Sequence, residues 1–190
     1  MALATAQRTF EMLENQTLWE TAVRVHEMLR EAGIEHAIAG GVAVCLHGYR
    51  RNTVDLDLLV RSVDTDAIRT ALEADGLKWS EATKEFRTSS DVAVQFVMAG
   101  ASEGTGQSAV FPDPADASQL THIEGLPVLS LAALIQSKLA CGLGNLRRTH
   151  KDFADVVELI AIHRLNSSFA HLLHRSVQPE FRTLVKHATA

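Results

Sequence analysis

Two aspartates, Asp55 and Asp57, lie one residue apart inside an apolar segment that covers residues 54–60. The β-branched and leucine-rich composition of this segment predicts a strand, in which side chains two positions apart point to the same face. Two neighbouring carboxylates repel each other and resist burial unless a cation compensates their charge. Magnesium compensates it well, because this ion commonly combines one or two carboxylates with the phosphates of a substrate. Such a pair can also serve two metal ions about 3.5–4 Å apart.

An exposed edge strand with both acids in water is the ordinary alternative, and an isolated D-x-D sequence by itself favours it. The neighbours of the pair favour a different interpretation. Residues 58–60 are apolar, and the segment before the strand has the composition of a buried helix. A covered strand is therefore expected, and two acids on a covered strand need a chemical reason.

A glycine pair, Gly40 and Gly41, separates a predicted strand over 36–39 from a predicted short helix over 42–46. Missing side chains let a phosphate approach the backbone, and the start of a helix offers free N–H groups. A tight turn that needs positive φ explains the same pair without a ligand. Because the short helix returns the chain directly to Asp55, a phosphate at the glycines would share one site with metal ions at the aspartates.

Two polar residues lie just before the aspartates. Arg51 suits bidentate recognition of a phosphate. Thr53, two positions before Asp55, shares its face, so the hydroxyl can assist a ligand or a metal ion. Without this context, a solvated arginine and an ordinary strand threonine are equally good interpretations.

The remaining pattern predicts an α/β region followed by a helical one. In chain order it predicts a helix over 18–30, a helix over 64–74 capped by Asp64, strands over 77–80, 85–88 and 92–98, a loop over 101–106 and a strand within 119–128. The last third predicts a helix over 131–141 capped by Ser130, a second helix opened by Thr149 with Asp152 in the capping-box position, and helices over 166–174 and 179–187. We therefore predict a core at residues 1–128 and a C-terminal helical segment at residues 129–190.

The glycines and the acidic strand together carry a family resemblance. A glycine pair followed by H-G-x-x-R-x-T-x-D-L-D-L-L resembles the signature of the nucleotidyltransferase superfamily, whose distant relatives include DNA polymerase beta and the kanamycin-modifying enzymes. It is most similar to the minimal bacterial nucleotidyltransferases, including those of abortive-infection and toxin–antitoxin systems. The residues that carry the resemblance are Gly40, Gly41, His47, Gly48, Arg51, Thr53, Asp55 and Asp57.

A second match lies downstream, where Lys138 on one predicted helix precedes Lys151, Asp152 and Asp155 at the start of the next. It resembles the later segment of the same family, and two matches in the right order are more specific than either alone. The resemblance implies an α+β fold, with a mixed sheet flanked by helices and followed by the C-terminal helical segment. It implies that Asp55 holds a metal ion.

The resemblance also assigns the other residues of the site. Asp57 would share the metal ion, Mg²⁺ or Mn²⁺, and act in catalysis together with Asp55. The cofactor-binding residues would take the phosphates of an NTP substrate, for example ATP, or charged neighbours of these phosphates; they are Gly40, Gly41, Arg51, Thr53, Gln95, Lys138, Lys151 and Asp152. Helix-surface placement for Lys138 and first-turn capping for Lys151 and Asp152 are the alternatives without a ligand.

One position departs from the family pattern. The family usually has a third acid on a later strand, and Gln95 occupies that place here. A neutral glutamine is a poorer magnesium ligand than a carboxylate and cannot act as a base toward an attacking hydroxyl.

Composition excludes several other classes of protein. The 190 residues, with 46% hydrophobic and 22% charged residues, suit one soluble globular domain with or without a helical appendage. With a formal net charge of −5 and no long basic run, bulk charge does not suggest non-specific binding to nucleic acid. Cys45 and Cys141 both lie in apolar segments, which predicts two buried thiols in a reducing compartment. No Cys/His spacing resembles a zinc site. Without a signal peptide or an apolar run of about 18 residues, we predict a cytoplasmic protein with no membrane contact.

Three functions compete at this level. An enzyme would transfer a nucleoside monophosphate from an NTP to a hydroxyl of a small molecule, protein or RNA, mainly by positioning and charge neutralisation. A binding protein would hold a nucleotide, or a partner such as a toxin, without turnover; Gln95 favours it and the D-x-D sequence opposes it. A purely structural scaffold leaves the paired acids unexplained. The acceptor and the preferred base stay open, and the C-terminal helices are candidates for a substrate lid or a homodimer contact.

Overall fold

The computed structural model describes residues 6–102 and 109–188. The strands are β1 (His36–Ile38), β2 (Asp55–Val60), β3 (Lys78–Ser80), β4 (Glu85–Arg87), β5 (Ala93–Met98), β6 (Leu120–Ile123) and β7 (Leu126–Leu129). The α-helices are α1 (Ala6–Met12), α2 (Gln16–Glu31), α3 (Gly40–Leu46), α4 (Thr65–Ala74), α5 (Leu131–Gly144), α6 (Leu146–His163) and α7 (Gln178–Ala188). The strands form one mixed sheet in the order β3-β4-β5-β2-β1-β7-β6, which confirms the predicted α+β class.

The acidic strand β2 is the fourth of seven strands and therefore lies in the middle of the sheet. It runs antiparallel to β1 and parallel to β5. Its two aspartates alternate with Leu56 and Leu58, which are buried to 0% and 1% exposure. The predicted alternation of faces is confirmed, and the alternative of an exposed edge strand is excluded.

The hydrophobic core gathers around this central strand. Ile38 of β1 and Leu134 of α5 are fully buried, as are Leu18 and Leu29 on one face of α2. Burying one such side chain contributes about 1.5–3 kcal/mol, so the strand that carries the aspartates is anchored by its apolar face.

Several predicted element boundaries change in the structure. Residues 119–128 form a hairpin of β6 and β7, because Glu124 and Gly125 adopt positive φ angles of 51° and 85° and reverse the chain. The predicted helix over 166–174 is a 3₁₀ turn over Ser167–Leu172, and α1 was not predicted. The predicted loop over 101–106 lies partly outside the described residues.

Two predicted helix caps are wrong and one is confirmed. Helix α6 begins at Leu146, so Thr149 lies inside the helix and does not cap it. The cap is Asn145, whose side chain accepts from the N–H of Arg147. The side chain of Asp64 makes no capping hydrogen bond to α4. Ser130 does cap α5, because its hydroxyl accepts from the N–H of Ala133 at 3.2 Å.

Candidate active site

Asp55 and Asp57 project from the same face of β2, and both are half-buried. The hydroxyl of Thr53 donates to Oδ1 of Asp55 at 3.1 Å, so this carboxylate has a fixed neighbour on its own strand. The carboxylate of Asp57 forms no hydrogen bond or ion pair with any residue in the described ranges. A half-buried carboxylate without a protein partner is costly in free energy, which distinguishes Asp57 from Asp55.

The glycine pair is required by the side chains of β2. Gly40 has a φ of +58°, and a methyl group there would lie 1.7 Å from Oδ2 of Asp57. A methyl group at Gly41 would lie 2.1 Å from the hydroxyl oxygen of Thr53. Only glycines let the start of α3 approach the acidic strand this closely. The predicted contact of these glycines with phosphates stays a prediction.

Electrostatics at the pair favour a bound cation. Burial raises the pKa of Asp57 above its ordinary value, and the neighbouring charge of Asp55 raises it further. The positive charges of Lys138, Arg148 and Lys151 oppose this rise in pKa. A divalent ion at the two carboxylates would supply the compensation that the three side chains provide only in part.

Three basic residues and two buried acids form an ion-pair network behind the aspartates. Arg51 donates to both oxygens of Asp155, at 2.5 and 2.8 Å. Lys138 contacts Asp155 at 2.8 Å and Asp152 at 2.9 Å, and Arg148 donates to Asp152 at 3.0 Å. The network joins the segment before β2 to α5 and α6. It replaces the predicted first-turn capping by Asp152, because that side chain is fully buried and paired with Lys138.

The predicted site residues therefore divide by position. Asp57 and Gly40 line a cleft of about 60 Å³ together with Lys138 and Arg148. Arg51 and Asp152 are paired within the network, and Lys151 is exposed on α6. Direct contacts of these network residues and of Lys151 with a nucleotide stay predictions.

Gln95 lies directly beside Asp57 in the parallel register of β2 and β5. Its side chain is half-buried, and its Nε2 donates to Oε2 of Glu85 at 2.8 Å. The position at which the family usually has a third acid is thus adjacent to the aspartates, and it carries a neutral amide.

Two residues near the site were not singled out in the sequence. Arg148 has a sequence signal, because it lies four residues before Asp152 on a helix. Glu85 has none, because its proximity to Gln95 depends on the register of β4 and β5. His47, part of the family signature, is buried and its Nε2 lies 2.8 Å from the carbonyl oxygen of Leu129, so it joins α3 to β7.

The chemistry of the donor set fits a magnesium ion bound jointly with phosphates. Within residues 6–102 and 109–188, no group of three or more His, Cys, Asp or Glu side chains is arranged to hold a metal ion. Asp55 and Asp57 offer two carboxylates, and Mg²⁺ commonly takes its remaining oxygens from substrate phosphates and water. The partnerless carboxylate of Asp57 is the specific feature of the structure that this ion would satisfy.

A family model for aminoglycoside-2''-adenylyltransferases matches residues 21–156, which include the glycine pair, the acidic strand and the whole ion-pair network. The chain belongs to this family. The match confirms the predicted resemblance to the nucleotidyltransferase superfamily. It also supports the predicted class of nucleotidyltransferase, and with it that of transferase. No protein of curated function matches the chain.

Solved structures confirm the fold of this family member. ANT(2'')-Ia, solved in complex with adenylyl-2''-tobramycin, has a TM-score of 0.52 and 15% identity, over 92% of this chain and 99% of its own. An antigenic nucleotidyltransferase-like protein from Paracoccidioides brasiliensis has a TM-score of 0.53 and 18% identity, over 88% and 91%. A candidate nucleotidyltransferase from Thermotoga maritima has a TM-score of 0.54 and 15% identity, over 73% and 93%. At these identities the likeness establishes the architecture alone.

Across residues 6–102 and 109–188, no helix combines the length and the apolar character that crossing a bilayer requires.

Proposed function

We propose that this chain is a magnesium-dependent nucleotidyltransferase, which moves a nucleoside monophosphate from an NTP to a hydroxyl group. The observation that carries the proposal is the carboxylate of Asp57, which is half-buried, partnerless among the described residues and adjacent to Asp55 on a central strand. Structural acids in such positions are normally paired. An unpaired one beside a second carboxylate is typical of a site that a metal ion completes.

The proposed reaction makes one bond and breaks one. The acceptor oxygen forms a bond to the α-phosphorus, and the bond from this phosphorus to the bridging oxygen of the β-phosphate breaks. Pyrophosphate leaves with that electron pair, and the hydroxyl proton passes to solvent water. A bound magnesium ion would neutralise the charge that develops on the phosphates.

Each side chain of the site has a role in this scheme. Asp55 and Asp57 would hold the ion, and Thr53 orients Asp55 through its hydroxyl. Arg148 donates from Nε to the buried Asp152, but 53% of its side chain is exposed. The guanidinium group therefore remains accessible to a phosphate. Lys151, exposed on the next turn of α6, adds positive charge on the same side of the site.

The family suggests the first donor and acceptor to examine. ANT(2'')-Ia has been solved with adenylyl-2''-tobramycin, an aminoglycoside that carries a transferred adenylyl group. We therefore propose ATP as the donor and a small polyhydroxylated molecule as the acceptor, with aminoglycosides as the first class to test.

A second function is favoured by one observation, which is the neutral Gln95 beside Asp57. Without a third carboxylate, the protein would bind metal and nucleotide but lack a group that takes the proton of the acceptor hydroxyl. This protein would act by occupancy and would bind NTP without releasing pyrophosphate.

The test combines binding and transfer. Calorimetry with ATP and GTP, with and without Mg²⁺, measures the metal-dependent affinity, and α-labelled NTPs with a panel of aminoglycosides and other hydroxyl compounds measure transfer. We expect Asp57→Asn to abolish both, whereas Asp66→Asn, at an exposed site on α4, leaves both unchanged. Binding without transfer to any acceptor would support the second function, and metal-independent binding would refute both.

A further inference from the structure

Three adjacent strands place a row of polar side chains on the face that carries the aspartates. Gln95 pairs with Asp57 across β5 and β2. The antiparallel register of β4 and β5 aligns Phe86 with Val94, which places Glu85 directly opposite Gln95. Residues directly opposite each other share one face of a sheet. The row therefore runs from Glu85 through Gln95 to Asp57.

Glu85 is an unusual residue for a strand next to the sheet edge, because its side chain is only 4% exposed. One oxygen, Oε1, accepts from Nε of Arg87 at 2.7 Å. The other oxygen, Oε2, accepts from Nε2 of Gln95 at 2.8 Å. The hydrogen bond from Gln95 and the one from Arg87 hold the pKa of Glu85 below its ordinary value, against the opposing effect of burial. A buried glutamate with both oxygens occupied is a rigid partner.

The contact determines how the amide of Gln95 is turned. An ionised carboxylate only accepts hydrogen bonds, so the NH₂ group of the amide must face Glu85. The carbonyl oxygen is on the other branch of the planar amide and takes no part in the contact with Glu85. None of the residues in the described ranges donates a hydrogen bond to it. Gln95 lies beside Asp57 in the register of β5 and β2, so this oxygen is the group that Gln95 can offer to a ligand at the aspartates.

We propose that Glu85 is a positioning residue, which holds the carbonyl oxygen of Gln95 at the third position of the site as a neutral hydrogen-bond acceptor. The proposal rests on the proposed function, because the oxygen would orient the acceptor hydroxyl or a water bound to the metal ion. The proposal differs from the simple loss of a carboxylate. A fixed oxygen, that of Gln95, occupies the position where the family has its third acid, and the carboxylate that fixes it is Glu85 on the neighbouring strand β4. An amide oxygen orients a hydroxyl but does not take its proton.

An isosteric variant tests the positioning. In Glu85→Gln two amides face each other, so the amide of Gln95 can reverse and still keep one hydrogen bond. We expect kcat for transfer to fall about tenfold, the effect of losing one oriented hydrogen bond, while the affinity for the metal–nucleotide complex stays unchanged. The matched control is Glu81→Gln, which alters a glutamate exposed over 70% of its side chain on the turn before β4 and should leave kcat unchanged.

A readout independent of activity follows the amide itself. In the wild type, the two side-chain ¹⁵N–H signals of Gln95 should be well separated and protected from exchange, because one proton is held by Glu85. In Glu85→Gln the two signals should collapse toward the positions of a free glutamine. Unchanged signals in this variant would overturn the proposal.

A charge swap gives the sharpest test. Gln95→Glu alone places a second carboxylate at a contact of 2.8 Å with the buried carboxylate of Glu85, so we expect a clearly lower Tm. The double variant Glu85→Gln/Gln95→Glu restores one carboxylate and one amide, and Tm should return most of the way to the wild type. The double variant also places the carboxylate beside Asp57, so we expect it to bind Mn²⁺ at least tenfold more tightly than the wild type.

The outcomes separate this inference from the proposed function. If Gln95→Glu is as stable as the wild type, the two side chains do not meet, and the inference fails even when the wild type transfers nucleotide. If the swap restores Tm but the wild type neither binds metal–nucleotide nor transfers it, the proposed function fails and the role of Gln95 in it fails too. Restored Tm together with tighter Mn²⁺ binding and an active wild type supports both.

Discussion

Replacing Gly40 by alanine should affect both the stability of the protein and its affinity for a metal–nucleotide complex, because the new methyl group would meet the carboxylate of Asp57. The new methyl carbon would lie 1.7 Å from Oδ2 of Asp57, whereas unbonded atoms meet at about 3.5–4.0 Å. The carboxylate must therefore rotate or move by well over an ångström. Because φ is +58° at Gly40, alanine also incurs the cost of the left-handed region, about 1–2 kcal/mol.

The matched control is Gly33→Ala. Gly33 has a φ of +71°, and a methyl group there would meet no atom within 4 Å. Urea unfolding should show a loss of about 1–2 kcal/mol for this control and about 1–3 kcal/mol more for Gly40→Ala, because the second change also overpacks the site. Calorimetry should show unchanged Mn²⁺–ATP affinity for Gly33→Ala and an affinity about 10–100-fold lower for Gly40→Ala.

The comparison between the two variants decides whether the reasoning holds. Equal losses of stability would mean that the start of α3 does not press on the acidic strand. Wild-type Mn²⁺–ATP affinity in Gly40→Ala would refute the placement of the metal ion at the carboxylate of Asp57.

Three further predictions follow from charges and burial. Asp57→Asn should raise Tm of the metal-free protein, measured by calorimetric scanning at pH 7. Burial and a neighbouring charge raise the pKa of Asp57, so its ionised form is costly in the folded state. A lower Tm would contradict this prediction. Asp155→Asn should lower the free energy of unfolding by about 3–5 kcal/mol in urea, because it leaves Arg51 without its acid and Lys138 with Asp152 alone, whereas Asp113→Asn, in an exposed ion pair, should cost less than about 1 kcal/mol. His26 and His36 contact each other at 2.9 Å, and burial lowers the pKa of both side chains. As pH falls below about 6.5, the unfolded chain therefore binds protons before the folded protein does. The free energy of unfolding should decline below that pH. Urea midpoints from pH 7.5 to 5.5 measure this decline, and a His36→Gln variant with the same decline as the wild type would contradict the assignment.

The candidate site shows how far local patterns reach. The face shared by Asp55 and Asp57 follows from the period of a strand, and the need for glycine at Gly40 follows from the turn that leads into a helix. Both features depend on residues close in the chain. The close approach of the Thr53 hydroxyl to Gly41 was not predicted, and the contact of Gly41 with a phosphate stays a prediction.

The basic residues show where local patterns stop. The predicted contacts of Arg51 and Lys138 with phosphates stay predictions. Their ion pairs with Asp155, which lies 104 residues after Arg51, were not predicted. A helix period predicts which side of α6 is apolar, but it does not specify which cation reaches an acid on that side. The division into residues 1–128 and 129–190 stays a prediction, although the network links the two parts.

The sequence by itself carried the family resemblance, with the α+β class that the resemblance implies. It also determined the paired carboxylates on one face of a strand and the glycine turn in front of them. These properties depend on composition, on the period of two along a strand and on residues within one short segment. Only the tertiary structure decided the order of the strands on either side of β2, that Asp57 lacks a partner among the described residues and that Glu85 holds Gln95. The physical reason is that strand order, register and ion pairing arise from contacts between distant segments, and such contacts are selected by packing of the whole core.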